Sequence, residues 1–446
     1  MLRATKKVVP GLLIVVVFCV MARAQSDGTM FRGGPAHTGV YAGAGLTNLS
    51  GVQWKFKARG HVVSSPAIYG TTLYVGSDDR NLYALDAFTG AERWHFQTKG
   101  GAINSSPAVT AEAVYFLSAD GSFYALDAAS GKQLWKFDTE GERRFEAKGL
   151  HGVTPHQQTI PDSWDFYLSS PTLANGTVYF GSGDGNIYAL VAKTGQLKWK
   201  FHTGNVVHAS PAVADGLVYA GSWGSYFYAL DAETGQEKWK FKTGEDPQIF
   251  NQVGIQSSAA VDGGTVYFGC RDSHLYALDA KTGQQKWNFP TDGSWVIVSP
   301  AVRDGAVYFA TSDSSIFHAV DAATGRERFK LPTGMFVFSS PAVAGDMAYF
   351  GVFDGKLLAV DVKAGKVRWE FQTDASKANL PALLLPDGKP DYAKLFGSDF
   401  WEDMVLAVHK LFALGAVVSS PVVANNLLYI GSTDSYVYAL KLATAR

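Results

Sequence analysis

Asn104, His208 and Gln256 each stand directly before a short serine-containing phrase, SSP, ASP or SSA. In the other copies of that phrase the same place holds Val63, Leu168, Ile297, Phe338 or Val418. Amides and imidazoles both donate and accept hydrogen bonds, so three of them in an otherwise apolar series are candidates for ligand contact. A second series is more uniform: a short turn carries Asp79, Asp120, Asp184, Asp272, Asp313, Asp354 and Asp434. Such uniformity fits the side-chain-to-backbone bonding of aspartate in turns, not a row of acids or a Ca²⁺ loop. Its departures are more telling: Trp223-Gly224 replaces the aspartate turn once, while Arg271 and Phe353 project from theirs. Asn104, His208, Trp223, Gln256, Arg271 and Phe353 form the candidate ligand or cofactor set. His151 and His156 lie five apart in a Gly/Pro-rich loop without a third ligand, so no metal site is expected. No Ser/His/Asp, P-loop or zinc spacing is present, and no catalytic residue is assigned.

These residues recur because the chain recurs. YALDAFTG (83–90) returns as YALDAASG (124–131), YALVAKTG (188–195), YALDAETG (228–235) and YALDAKTG (276–283). HAVDAATG (318–325), LAVDVKAG (358–365) and YALKLATA (438–445) complete eight copies. One unit, VVSSPAIYGTTLYVGSDDRNLYALDAFTGAERWHF (62–96), holds four β-rich runs separated by turns. Four strands in about 40 residues is the signature of a β-propeller blade. A tryptophan follows each turn glycine by four residues at Trp94, Trp135, Trp199, Trp239, Trp287 and Trp369, with Phe329 substituting once. A residue needed in every blade points to blade-to-blade packing. The recurrent Asp of the Ala-Leu-Asp phrase is expected to serve turns and inter-repeat hydrogen bonds. The eighth copy lacks its fourth strand, which GVQWKFK (51–57) supplies, with Trp54 at the tryptophan position. The expected fold is all-β: an eight-bladed propeller of four-stranded antiparallel blades, closed by pairing the N-terminal strand with the C-terminal blade.

The phrase Y-A-L-D-A-x-T-G-x-x-x-W-x-F, preceded by S-S-P and G-S, resembles the repeats of PQQ-like β-propellers over about residues 30–442. MFRGGPAHTGVY (30–41) looks like the lead-in of secreted bacterial members. The superfamily holds quinoprotein alcohol dehydrogenases and BamB-like propellers of the outer-membrane assembly machinery. The resemblance therefore implies either a noncatalytic binding scaffold or an oxidoreductase with PQQ and Ca²⁺ in the channel. Against the enzyme stand a single cysteine after position 24, no C-x-x-C-H haem segment and a short chain.

Residues 1–24 read as a cleaved signal: a basic start, the apolar run 8–20 and an A-x-A end. Residues 25–50 form the lead-in and 51–446 the propeller. Loss of the signal takes Lys+Arg from 39 to 35 against 40 Asp+Glu, with no basic block for nucleic acid. The destination is periplasmic or secreted, the chain a monomer, and only Cys270 remains, as a small strand residue. Insertions near 138–166, 242–254 and 372–416 all follow a fourth strand, so all crown one end of the ring. In the last of them Phe400, Trp401, Met404 and Leu411 are candidates for docking a protein partner or touching a membrane surface. The expected role is a noncatalytic scaffold binding a protein or small ligand in the cell envelope through that face.

Overall fold

Short strands, two or three residues in the first and mostly five or six in the others, bounded by Asp- and Gly-containing turns, give sheets of one recurring pattern. In the first blade Ala67–Tyr69, Thr72–Gly76, Asn81–Asp86 and Glu92–Gln97 pair antiparallel in chain order. The computed structural model describes residues 28–43, 45, 47–245 and 254–443, so the signal segment and most of the second insertion lie outside the described residues. It contains eight such sheets. The last, Val422–Ala424, Leu427–Gly431 and Tyr436–Ala443, takes its outer strand from Asn48–Lys57, with Trp54 opposite Ala439 and Lys55 opposite Tyr438. Closure by the N-terminal strand is therefore as expected, and it leaves the ring without an open edge.

The tryptophans join blades. Trp54 Nε1 donates to the Ala87 carbonyl of the next blade at 2.9 Å, and Trp199 does the same to Ala232 at 3.0 Å. The same two carbonyls also accept the hydroxyls of Tyr429 and Tyr179. Each indole lies on the turn glycine of the following blade. A Cβ on Gly90 would come within 2.6 Å of the Trp54 ring, and Gly90 has φ +72°, so glycine serves there on both counts. The eighth phrase has no Thr-Gly turn, and Trp369, which faces that blade, has an indole nitrogen without a partner among the described residues. The Ala-Leu-Asp aspartate works inside its own blade, not between repeats: Asp86 accepts from the Phe88 and Thr89 amides, the Thr89 hydroxyl and Arg93. The aspartates of the other turn series are turn residues as expected; Asp79 accepts from the Asn81 amide and the Tyr83 hydroxyl.

Two devices close the channel away from the crown. The amide of each S-P serine donates to the side chain of the next: Ser65 to Ser106, Ser106 to Ser170, and onward until Ser420 returns to Ser65. The lead-in then passes across the opposite end of the ring. Carbonyls of Gly28, Thr29, Pro35, Ala36, Thr38 and Gly39 accept from first-strand amides of six different blades at 2.7–2.9 Å. His37 reaches a seventh through Thr172 at 2.8 Å. Arg32, 1% exposed, donates to the carbonyls of Pro341 and Pro300, and burial lowers its pKa to about 10.

Candidate functional site

The first and third insertions meet over the other end of the channel. Glu146–Lys148 and Thr159–Pro161 form a hairpin in the first. The third folds as α1 (Asp374–Asn379), α2 (Tyr392–Phe396) and α3 (Trp401–Phe412). Thr154 joins them, donating its amide to Asp399 at 2.7 Å and accepting from that of Trp401 at 3.0 Å. Beneath this bridge the first insertion dips into the channel. Tyr167 crosses it, and its hydroxyl lies 3.2 Å from the Phe338 carbonyl and 2.9 Å from that of Val418.

All six candidate ligand residues converge here, and all six touch or brace the chain's own first insertion. Asn104 Nδ2 donates to the Phe166 carbonyl at 2.9 Å, and Gln256 Nε2 to that of Trp164 at 3.2 Å. Arg271 donates to Asp162 at 2.5 Å and to the Gln256 side-chain oxygen at 2.6 Å. Its guanidinium lies 4.3 Å from the ring centres of both Trp223 and Trp295. Trp223 stacks on Phe145 at 4.5 Å, and Phe353 packs on Phe338 at 4.7 Å and on Trp164 at 6.1 Å. His208 is held between Asp165 (2.6 Å) and Glu142 (2.8 Å). Three acids of one loop thus anchor it through Arg271 and His208.

Burial works against both charged centres, and their partners outweigh it. Desolvation pulls the His208 pKa down, but Asp165 and Glu142 push it up to about 10. Desolvation would raise Asp162, but Arg271 and His151 hold it well below the ordinary carboxylate range. Because His208 is raised in the folded state, its contribution is complete below the unfolded value near 6.5 and disappears as pH rises through about 10. The stability gap between wild type and His208→Leu, from urea unfolding, is therefore expected to be largest near about pH 6 and to shrink toward about pH 10. A gap constant over that interval would show that the imidazolium is not what the loop uses.

The repeats seen in the sequence match a family profile described as outer membrane protein assembly factor BamB, over residues 46–148, 157–294 and 290–446. The chain belongs to that family. No curated protein matches it. Among solved structures it is similar to BamB from Moraxella catarrhalis, with 16% identity, TM-score 0.63, 90% of this chain and 99% of that one covered. It is also similar to a europium-containing methanol dehydrogenase (16%, TM-score 0.67, 94% and 99% covered). The quinohemoprotein alcohol dehydrogenase of Comamonas testosteroni is a third (15%, TM-score 0.67, 94% and 82% covered). At these identities the likeness is one of fold.

One solved structure with this fold is a quinohemoprotein, which raises the question of whether the channel fits PQQ. Between the serine ring and Tyr167 the space is only about 40 Å³, whereas a small-molecule pocket takes on the order of 300 Å³ or more. Arg271, the cation that would meet a carboxylate there, is already paired with Asp162. Among the described residues no three His, Cys, Asp or Glu are grouped to hold a metal ion. The space between the serine ring and Tyr167 does not fit PQQ.

Two larger cavities flank the plug beneath α3. One, about 320 Å³, is walled by Trp164, Trp295, Phe336, Phe338, Phe396 and Met404. The other, about 380 Å³, includes Asp78, Asn104, Arg144, Ser163, Phe166 and Trp401. The docking candidates divide accordingly: Phe400 is 53% exposed, Trp401 is half-buried, Met404 lines the first cavity and Leu411 is fully buried. Leu411 thus packs inward and offers a partner nothing. Sequence reasoning passed over Tyr167, Glu142, Asp162, Asp165 and Asp78. Asp78 alone left a signal, since it precedes the turn aspartate in the same column as Arg271 and Phe353.

Proposed function

We propose that this chain is a noncatalytic propeller of the cell envelope whose crowned face docks a protein of the outer-membrane assembly apparatus. The observation carrying this reading is the plug itself. The channel axis beneath the crown is filled by Trp164, Phe166 and Tyr167, fixed by two buried charge networks, and leaves only about 40 Å³ above the serine ring. Family membership supports the class of partner. The location of exposed apolar surface supports the face: Leu385, Tyr392, Phe400 and Leu406 are four of the ten large hydrophobics most exposed among the described residues. Four on one insertion concentrate exposed apolar surface on that face, whereas scattered single ones need no explanation. In the described residues no helix is long and apolar enough to cross a membrane.

A photo-crosslinking amino acid at position 400 or 406 tests this in cells. It is expected to trap an outer-membrane assembly protein, and the same group at Phe88, exposed in a turn on the opposite face, is expected to trap none. Equal trapping from position 88, or none from 400 and 406, contradicts the reading.

A further inference from the structure

Ser163, Asp78 and Asn104 come from three separate segments: the first insertion, the blade-one turn and the stretch leading into the first strand of blade two. Each has a buried polar atom without a hydrogen-bond partner among the described residues: Ser163 Oγ, Asp78 Oδ1 and Asn104 Oδ1. All three residues line the same cavity of about 380 Å³. Leaving a buried polar atom unpaired costs about 1–3 kcal/mol, and two of the three, the Asp78 and Asn104 oxygens, can only accept, so the cavity suits a donor. The orientation of Asn104 is settled by its Nδ2, which is committed to the Phe166 carbonyl at 2.9 Å, so its oxygen must face the other way.

The remaining walls restrict what those donors can belong to. Arg144, exposed at the edge, and His61 both line the cavity, and both stand close enough to act on Asp78. Phe166 and Trp401 add ring surface between the two charges, and Trp401 is held in place by its indole bond to Pro161 at 3.4 Å. Burial raises the Asp78 pKa, against the opposing pull of His61, a side-chain hydrogen bond from Asn104 and Arg144. An amine can pair with Asp78 alone, and a polyol with neither charge. A zwitterion neutralises both.

We infer that this cavity binds a free α-amino acid with an apolar side chain. Its ammonium group is received by Asp78, Asn104 and Ser163, its carboxylate by Arg144, and its side chain by Phe166 and Trp401. The inference rests on the reading of the crowned face as a binding surface, and it adds a small-molecule ligand under the helix that carries the exposed patch.

Phenylalanine is the probe, used with the purified full chain in isothermal titration and thermal unfolding. The expected result is saturable binding with a rise in Tm. 3-Phenylpropionate, which lacks the ammonium group, and phenethylamine, which lacks the carboxylate, are each expected to bind at least about tenfold more weakly. Asp78→Asn keeps the shape of the side chain and is expected to abolish the phenylalanine-dependent rise in Tm while leaving the ligand-free Tm within about 2 °C. Arg144→Gln is expected to bring phenylalanine down to the affinity of phenethylamine. No saturable binding of phenylalanine, leucine or methionine at about 10 mM overturns the inference. So does equal binding of phenylalanine and phenethylamine, or binding of glucose in their place. These outcomes leave the crosslinks at positions 400 and 406 as they stand, so failure of the ligand and failure of the docking face are separable.

Discussion

Arg271→Ala is expected to destabilise the protein by about 3–5 kcal/mol, because it strands the Asp162 carboxylate inside the crown without its cation. Asp162 is fully buried, and its remaining partners are His151 at 2.9 Å and the Trp164 amide at 2.8 Å. The guanidinium also fills the slot between Trp223 and Trp295, so truncation removes packing together with charge. Arg271→Lys is not expected to rescue, since an ammonium cannot be planar between two indoles and reach Asp162 and Gln256 at once. Removing both charges, as Arg271→Met with Asp162→Leu, is expected to recover part of the loss, because no unpaired charge is then buried. Urea unfolding of the singles and the double forms a cycle that checks this. Additive losses would mean that the pair is not coupled and that packing alone anchors the loop.

The second large effect concerns ring closure. Trp54→Ala is expected to cost about 3–5 kcal/mol, the usual loss for a buried aromatic. The side chain is 8% exposed, covers Gly90 and donates to Ala87, so its removal opens the seam between the closing strand and blade one. Trp369→Ala provides the comparison, since it occupies the same place in blade seven but its indole nitrogen has no partner among the described residues. Its loss is expected to be smaller by about 1 kcal/mol, the net worth of one hydrogen bond. Equal losses at both positions would show that ring packing carries the whole effect and that the inter-blade bond adds none.

The architecture was legible because periodicity overdetermines it. Eight copies of one phrase, tryptophans at constant offset and a stray outer strand at residues 51–57 admit few arrangements other than a closed ring. The role of the lead-in was not legible. MFRGGPAHTGVY could be matched to a family phrase, but its bonds run through backbone carbonyls, which carry no residue code. The six site candidates were found as exceptions to the repeat, and the exceptions do come together. What they come together around was hidden, because Glu142, Asp162 and Asp165 lie in a loop without period. Their partners are His208 and Arg271, 43 to 109 residues away. Asp78 was hidden for another reason: beside Asp79 it reads as one more polar turn residue, and only its unpaired oxygen sets it apart. Helix α3 misled in part because its apolar residues occupy two faces. Ala407, Val408, Leu411 and Phe412 pack inward, whereas Leu406, and Phe400 at its start, point out.

The fold is shared by propellers that carry a quinone and by propellers that do not, and in this chain Tyr167 and the loop before it occupy the channel axis. The most direct measurement is a calorimetric titration of the purified chain with PQQ in the presence of Ca²⁺. A channel sealed as described is expected to give no saturable uptake up to about 100 μM. Stoichiometric uptake below that concentration, with a change in quinone absorbance and dye-linked alcohol oxidation, would contradict the sealed channel and the noncatalytic function together.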